Sequence, residues 1–561
     1  MIYLKSKSIK DAIHGYIRVD EPFWKIIDTA EFQRLKWIEQ TSYRVLYPSA
    51  RHDRFIHSIG VYHLGQKAVS GFLNNCTNDE RVLVNKFKSS FLFACLLHDI
   101  GHAPFSHTCE DLYNYKHRLN DINAGINKEL IENIKLHLTS ESLEIFKNDY
   151  LYILSPNGKT PSEHEIMSAI IVCKKFDVYK DFFGDDEKEN LDLEIIIRAI
   201  IGCSYVSHRK DAYDVNKEKG IKNCLIRLLN SSTVDVDKLD YIARDTQMSG
   251  YDNIVLDTDR LLDNICIVCK DNVYYPAFKK GALSIINNVV IAKNLQARWI
   301  VNHPIVIYEA YILRRAIGEA LNNANILLQD QEDALNFDDC VRFIFSSNSL
   351  SKNGNIHKNG RYSLLSDIEI LNLMKSNIDN SFISEYFSRD ERKNPIWKSN
   401  EEFLFCLGSD DKKAAEVAEY IAPLINYFND IEDICNPKQI DESLYNEILS
   451  DNNIEGKDAL LNIIKILSDY APNEEFSEKL NYVILPAKNN FFANIDSASL
   501  YIRFGDDKSN FTSYDSFESN LGNPSNKKYG FFYLYCNKKI NAKHFLNYLY
   551  QSAHDDIGVR I

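Results

Sequence analysis

What this sequence lacks narrows it first. No uninterrupted apolar stretch approaches the ~18 residues that span a bilayer, and the opening MIYLKSKSIK holds no apolar h-region. The expectation is a cytoplasmic protein with no membrane partner. A basic excess is missing too: 65 Lys and Arg face 79 Asp and Glu, giving a net charge of -14, which argues against a dedicated duplex-DNA binder. A local phosphate-binding hollow is still allowed by Arg51, Arg54, Lys238 and Arg244. The 12 cysteines are scattered, with Cys95, Cys173 and Cys406 inside apolar runs, as reduced buried thiols are. Cys266 and Cys269 form a CxxC without a second pair. Ile265, Ile267 and Val268 alternate around them before Asp271-Asn272, so a β-hairpin is read there in place of a zinc or redox site.

What is present centres on residues 91–110, FLFACLLHDIGHAPFSHTCE. The apolar run reads as a buried helix that delivers His98 and Asp99 at its end and is stopped by Gly101 and Pro104. A buried carboxylate without a partner costs several kcal/mol or loses its charge. A cation supplies the partner, and imidazole with carboxylate suits Fe, Mn, Zn or Mg. Beyond the pair come His102, His107 and Glu110. His107 and Glu110 stand one turn apart, and a carboxylate beside an imidazole fixes its tautomer and favours the imidazolium, which is how a general acid is built.

Along the chain, residues 9–70 read as a loop followed by helices, with Arg54 and His57 on one stripe. Residues 111–163 read as an inserted helical excursion. Ser162 and Glu165 then make a capping box that puts His164 in a first helical turn. Asp237, Tyr241 and Asp245 recur every fourth residue on one helix face, beside Lys238. Residues 280–325 are helical with a break at Pro304, 346–363 is the best linker candidate, and strand-like pieces lie near 499–504 and 530–535 around a polar loop at 505–528.

The motifs Asp11-Ala-Ile-His14-Gly15, Phe32-Gln33-Arg34-Leu35, His52-Asp-Arg54-Phe-Ile-His57-Ser58-Ile-Gly60, His98-Asp99-Ile-Gly101-His102 through His107, and Asp235-Val-Asp237-Lys238-Leu-Asp240-Tyr241 through Asp245 occur in order. Together they resemble the HD-domain deoxynucleoside triphosphate triphosphohydrolases, the bacterial dGTPases and the vertebrate enzyme that pairs a sterile-alpha-motif domain with an HD domain. The resemblance begins at about residue 9, without the sterile-alpha-motif domain, and is strong to about residue 320. Weaker echoes follow at residues 365–371 and 533–538. It implies a mostly α fold: an HD-type catalytic domain over 1–345, with the insertion at 111–163, and a smaller C-terminal α+β lobe over 346–561 for regulation and oligomer assembly.

The same resemblance implies a divalent metal held by His57, His98, Asp99 and Asp237. It puts Arg54, His102, His164 and Lys238 on the triphosphate, and makes His107 the proton donor backed by Glu110. Tyr241 stands against the sugar, with Gln40 and Asp245 on the 3′-hydroxyl. The implied reaction converts a dNTP to deoxynucleoside and triphosphate, for dNTP pool control or phage defence, in a homo-oligomer.

Three positions depart from the family pattern. Glu110 replaces an Asp, with Asp111 as an alternative partner for His107. Val301 replaces a second sugar-facing Tyr, which relaxes the expectation that ribonucleotides are excluded. At the nucleotide-activator site Asp28 matches, but Lys36 stands where an Arg would offer a bidentate fork, so a guanine-nucleotide activator is not expected on that pattern. Two rival readings are an HD-type phosphodiesterase or nuclease and a catalytically silent nucleotide sensor.

Overall fold

The structure is a computed structural model, and it describes residues 5–156, 158–205, 217–251, 255–270, 273–323, 336–346, 365–377, 381–390, 392–430, 439–451, 453–470, 480–486, 496, 498–505, 507, 509–518 and 531–559. The fold is mostly α. Contacts gather the chain into two compact units, neither continuous in sequence. The first comprises Met1–Asn294, Ala324–Asn372 and Ala493–Gly522, and the second Leu295–Asn323, Leu373–Phe492 and Asn523–Ile561. The stretches 1–345 and 346–561 expected from sequence therefore exchange segments. Residues 493–522 pack in the first unit and 295–323 in the second.

In the first unit the helix Arg54–Asn75 packs along both Asn78–Leu97 and Val236–Ser249. Asn78–Leu97 opens on a capping box between Thr77 and Glu80, and every residue from Ser90 to its end is buried. A helical stretch apolar on all sides belongs inside, and this last part of the helix carries the chain through the core to His98. The inserted stretch holds the helices Gly125–Ile134 and Ser140–Leu154.

The start of the chain differs from the sequence reading. Residues taken for a loop form an antiparallel hairpin, Ser6–Asp11 with Gly15–Asp20. Only its second strand carries an apolar alternation, with Ile17 and Val19 buried around Arg18, while the first strand is nearly all polar and exposed. The CxxC lies in the hairpin Ile265–Lys270 and Val273–Lys279, as read from sequence; its turn residues Asp271 and Asn272 lie outside the described residues. Tyr501–Arg503 adds to Val273–Lys279 in parallel and Phe511–Ser513 completes this sheet, so part of the expected polar loop is strand.

The second unit is the smaller α+β part. Its sheet runs in the order Asn394–Pro395, Phe532–Cys536, Tyr482–Pro486, Gln439–Ile440. Trp397 is fully buried there and donates from its indole nitrogen to Phe532 O at 3.0 Å. The linker candidate falls almost wholly outside the described residues. No described helix is long and apolar enough to cross a membrane.

Candidate active site and metal centre

Three helices present their first turns to one place, and a fourth presents its last. Asp53 caps Arg54–Asn75 by accepting from Ile56 N at 3.0 Å, which sets Arg54 and His57 in the opening turn. Asp235 caps Val236–Ser249 through Lys238 N at 2.8 Å, with Asp237 just inside. The capping box of Ser162 and Glu165 forms as read from sequence and starts Glu163–Lys180, placing His164. His98 and Asp99 follow the end of Asn78–Leu97. Positive helix ends at three of these four positions suit an anionic ligand.

His57, His98, Asp99 and Asp237 come together. His57 Nε2 lies 3.1 Å from Asp237 Oδ1 and 3.5 Å from Asp99 Oδ2. His98 Nε2 lies 3.3 Å from Asp99 Oδ1 and 3.5 Å from Asp237 Oδ1. Each ring spends its other nitrogen on the protein: His57 Nδ1 donates to Asp240 Oδ2 at 2.7 Å, and His98 Nδ1 to Cys95 O at 3.0 Å. Both Nε2 atoms are buried and, among the described residues, neither has a hydrogen-bond partner. Two imidazoles held by the far nitrogen with two carboxylates facing their free nitrogens are a donor set that fits a divalent cation. The charges agree. Burial alone would pull His57 down, but Asp237, Asp240 and Asp99 outweigh it and raise it to about 9. Burial would raise Asp99, yet His98 and Arg54 hold it well below the usual carboxylate range.

Behind His57 stands a network centred on Asp240, a residue to which sequence reasoning gave no role. Asp240 accepts from His57 and also from His14 Nε2 at 2.6 Å and from Arg244 Nε and Nη2 at 2.8 and 2.9 Å. Arg244 Nη1 donates to Asp11 Oδ2 at 2.9 Å. A Cβ at Gly60 would clash with Asp240 Oδ1, so the glycine makes room for this carboxylate. Arg244 is therefore committed to Asp240 and Asp11 and does not serve the phosphate hollow expected of it. The signal was available: Asp240 and Arg244 stand four apart on one helix.

His164, Glu110 and His107 form a chain leading away from this cluster. His164 Nε2 lies 4.0 Å from Asp99 Oδ1, its Nδ1 bonds Glu110 Oε2 at 2.6 Å, and Glu110 Oε1 bonds His107 Nδ1 at 3.1 Å. Glu110 thus reaches His107 despite its extra methylene. His102 stacks on His164 with centroids 3.9 Å apart, and its Nε2 lies 3.2 Å from Asp99 Oδ1. Burial, and then the Arg54 charge, push His102 well below its ordinary value. Burial would lower His164 as well, but Glu110 raises it to about 9. His107 is the exposed end, its side chain 62% accessible. Arg54 donates to Asp99 at 2.8 Å, to Ser106 Oγ at 3.0 Å and to Gln40 O at 3.1 Å.

The remaining expected residues lie around this centre. His52 links Gln40 and Asp245: its carbonyl accepts from Gln40 N at 3.1 Å and its Nε2 bonds Asp245 Oδ1 at 2.7 Å. Gln40 Oε1 is buried with no hydrogen-bond partner among the described residues. Tyr241 is half-buried on the helix that bears Asp237. Lys238 Nζ donates to Ser231 O at 2.8 Å and to Asp235. Lys159 Nζ shares that Ser231 carbonyl at 3.2 Å. Lys293 is lowered to about 8 by burial and then by Lys238. Lys159 and Lys293 were not foreseen, since each is one lysine within a loop or long helix. Val301 lies in the second unit, and Asp28 pairs with Lys7 at 2.7 Å.

The HD domain family profile matches residues 54–245, which contain every expected metal ligand. The chain is 30% identical over 281 residues to the deoxynucleoside triphosphate triphosphohydrolase SAMHD1 homolog of Dictyostelium discoideum, covering 48% of this chain and 43% of that protein. It is 25% identical over 485 residues to the uncharacterized protein MJ1154 of Methanocaldococcus jannaschii, covering 84% of this chain and 80% of that one. Deoxynucleoside triphosphate triphosphohydrolase SAMHD1 of Gallus gallus is 29% identical over 262 residues, covering 44% and 34%. This chain thus spans less than half the length of the Dictyostelium and chicken relatives. Among solved structures, a hypothetical protein from Aquifex aeolicus aligns over 99% of this chain and 100% of its own, with 16% identity and a TM-score of 0.49.

Proposed function

We propose that this chain, which carries an HD domain over residues 54–245 and is similar over about half its length to deoxynucleoside triphosphate triphosphohydrolases, hydrolyses deoxynucleoside triphosphates to deoxynucleoside and inorganic triphosphate. The observation that carries this reading is the hydrogen-bonded chain from His164 through Glu110 to His107, which begins 4.0 Å from Asp99 of a metal-type cluster and ends on a solvent-facing imidazole. Cleavage at the α-phosphorus expels the 5′-oxygen of the nucleoside, a poor alkoxide leaving group, and so requires a proton donor. His107 gives that proton and Glu110 steadies the imidazolium. His57, His98, Asp99 and Asp237 would hold the cation. When bound, a divalent cation there supplies Lewis acidity toward a phosphoryl oxygen and a nucleophile at neutral pH.

Arg54, His102 and charged His164 face the phosphates in this reading. Lys238 and the depressed Lys293 supply further positive charge for a polyphosphate, since converging ammonium groups gain most from a polyanion. Gln40, with its free carbonyl oxygen, and Asp245 take the 3′-hydroxyl, and Tyr241 packs on the sugar. A homo-oligomer built through the second unit, control by a nucleotide activator, and a cellular role in dNTP pool control or phage defence belong to the same proposal.

The deciding experiment incubates the purified protein, loaded with Mn or Mg, with each dNTP and NTP singly and in mixtures, and separates the products. Free nucleoside with intact triphosphate supports the reading, and the pattern of dNTP against NTP turnover shows how strictly the sugar is selected. Monophosphate from a cyclic nucleotide or single-stranded nucleic acid, with no triphosphate from any dNTP, would establish a phosphodiesterase or nuclease instead.

A further inference from the structure

Asp367 lies beyond the HD-domain match, yet its buried carboxylate ties together two stretches of the site. Oδ1 accepts from Phe105 N at 2.7 Å and Oδ2 from Glu39 N at 2.9 Å. Glu39 adjoins Gln40, and Phe105 opens the turn that delivers His107. That turn is unusual: Phe105 and Ser106 both adopt left-handed backbone, with φ of 59° and 52°. Side chains other than glycine take that conformation only where their surroundings hold them. The holding contacts are few and identifiable. Ser106 Oγ donates to Glu39 O at 2.7 Å, Arg54 reaches Ser106 Oγ, and Asp367 holds Phe105 from the other side. Arg34, itself buried, fastens the same segment by donating to Leu365 O at 3.1 Å, to Ile100 O at 3.0 Å and to His102 O. Residues 365–367 thus hold one end of the 100–105 turn directly, through Asp367 and Phe105, and the other through Arg34, although they lie far off in sequence.

We propose that Asp367 is a positioning residue for proton donation: by fixing Phe105 against Glu39, its carboxylate sets where His107 stands relative to Glu110 and to Gln40. This rests on the reading of His107 as the acid. It assigns a role to a segment that touches neither the metal cluster nor the substrate. Asp367 supports the strained turn from outside, so its loss should misplace the acid without emptying the binding site.

The test uses the full-length, metal-loaded protein with Asp367→Ala and Asp367→Asn, the second keeping the volume and one acceptor oxygen. Hydrogen exchange is followed in segments 37–42 and 103–109, together with kcat and KM for the best dNTP. Alanine is expected to raise exchange in both segments about tenfold or more. It should lower kcat about ten- to a hundredfold while KM moves less than about threefold, the signature of a misplaced acid and not of lost binding. Asparagine should fall between alanine and wild type in both readouts. Unchanged exchange in either variant overturns the proposal, as does raised exchange with kcat intact, or a KM that rises in step with the loss of kcat. If wild-type protein turns over no nucleotide, the preceding reading fails on its own. The inference is then decided by exchange together with the rate at which diethyl pyrocarbonate modifies His107, which should change in the alanine variant.

Discussion

Asp240 accepts the Nδ1 proton of His57 at 2.7 Å, and this bond decides that Nε2 of the same ring faces Asp99 and Asp237. Partners of this kind typically contribute ~10- to 100-fold to metal affinity by fixing tautomer and ring orientation. Asp240→Asn keeps the volume but cannot accept from His14, His57 and Arg244 together. It should weaken binding of Mn, measured by calorimetry on demetallated protein, by a factor in that range. Affinity equal to wild type would remove Asp240 as the residue that orients His57.

His107→Ala removes the imidazole that ends the Glu110 relay. A positioned general acid is worth ~10²- to 10⁴-fold, so kcat should fall by that order while KM stays close to wild type. Glu110→Gln should cost less, because the imidazole remains and only its partner is lost. Steady-state kinetics on the best dNTP reads both. A His107→Ala enzyme with full kcat and an unaltered pH profile would show that the proton comes from elsewhere.

Much of this centre was legible in the sequence because its ligands come from helix ends with strong local signals. The apolar run before His98, the capping box before His164 and the four-residue spacing from Asp237 each fix a side chain by short-range rules. What could not be read is what depends on distant pairing. Asp240 looked like one more polar residue on a charged helix until His14 and His57 arrived from elsewhere. Asp367 was visible only as a faint echo, since its partners are backbone amides, which leave no mark on composition. The hairpin Ser6–Asp11 with Gly15–Asp20 was missed because its first strand is polar and exposed, so the period-two pattern that marks a strand is half absent.

Burial pushes the Asp367 carboxyl up to about 7, against the pull of the two amides that donate to it. The charged groups that face it are Arg34 and Glu39. A carboxyl whose folded value exceeds its unfolded value, ordinarily near 3.8, binds its proton more firmly when folded. Its contribution to stability is fully present below the unfolded value and is lost as pH rises through about 7. Asp367→Asn cannot ionise and escapes that loss. Denaturation from pH 4 to 9 should therefore show wild type losing ground to the asparagine variant across that window, by at most on the order of 4 kcal/mol. Parallel curves for the two proteins would mean that the carboxyl titrates normally.

Removing the cation should cost stability as well as activity. Asp99, Asp237, His57 and His98 are side chains of three separate segments that meet in one cluster, and a bound ion is the group that offsets their burial. Binding to the folded state alone stabilises it by ~2.7 kcal/mol when the ion is present at a hundred times its Kd. Chelation should thus lower the melting temperature and abolish turnover together, and readdition of Mn, Mg, Fe or Zn should restore the melting temperature for whichever ion the site accepts. The same titration on Asp237→Ala separates this centre from adventitious binding. With one of its carboxylates gone, the variant should melt at nearly the same temperature with and without chelator. If Asp237→Ala still gains as much from the ion as wild type does, the stabilising cation binds somewhere other than His57, His98, Asp99 and Asp237.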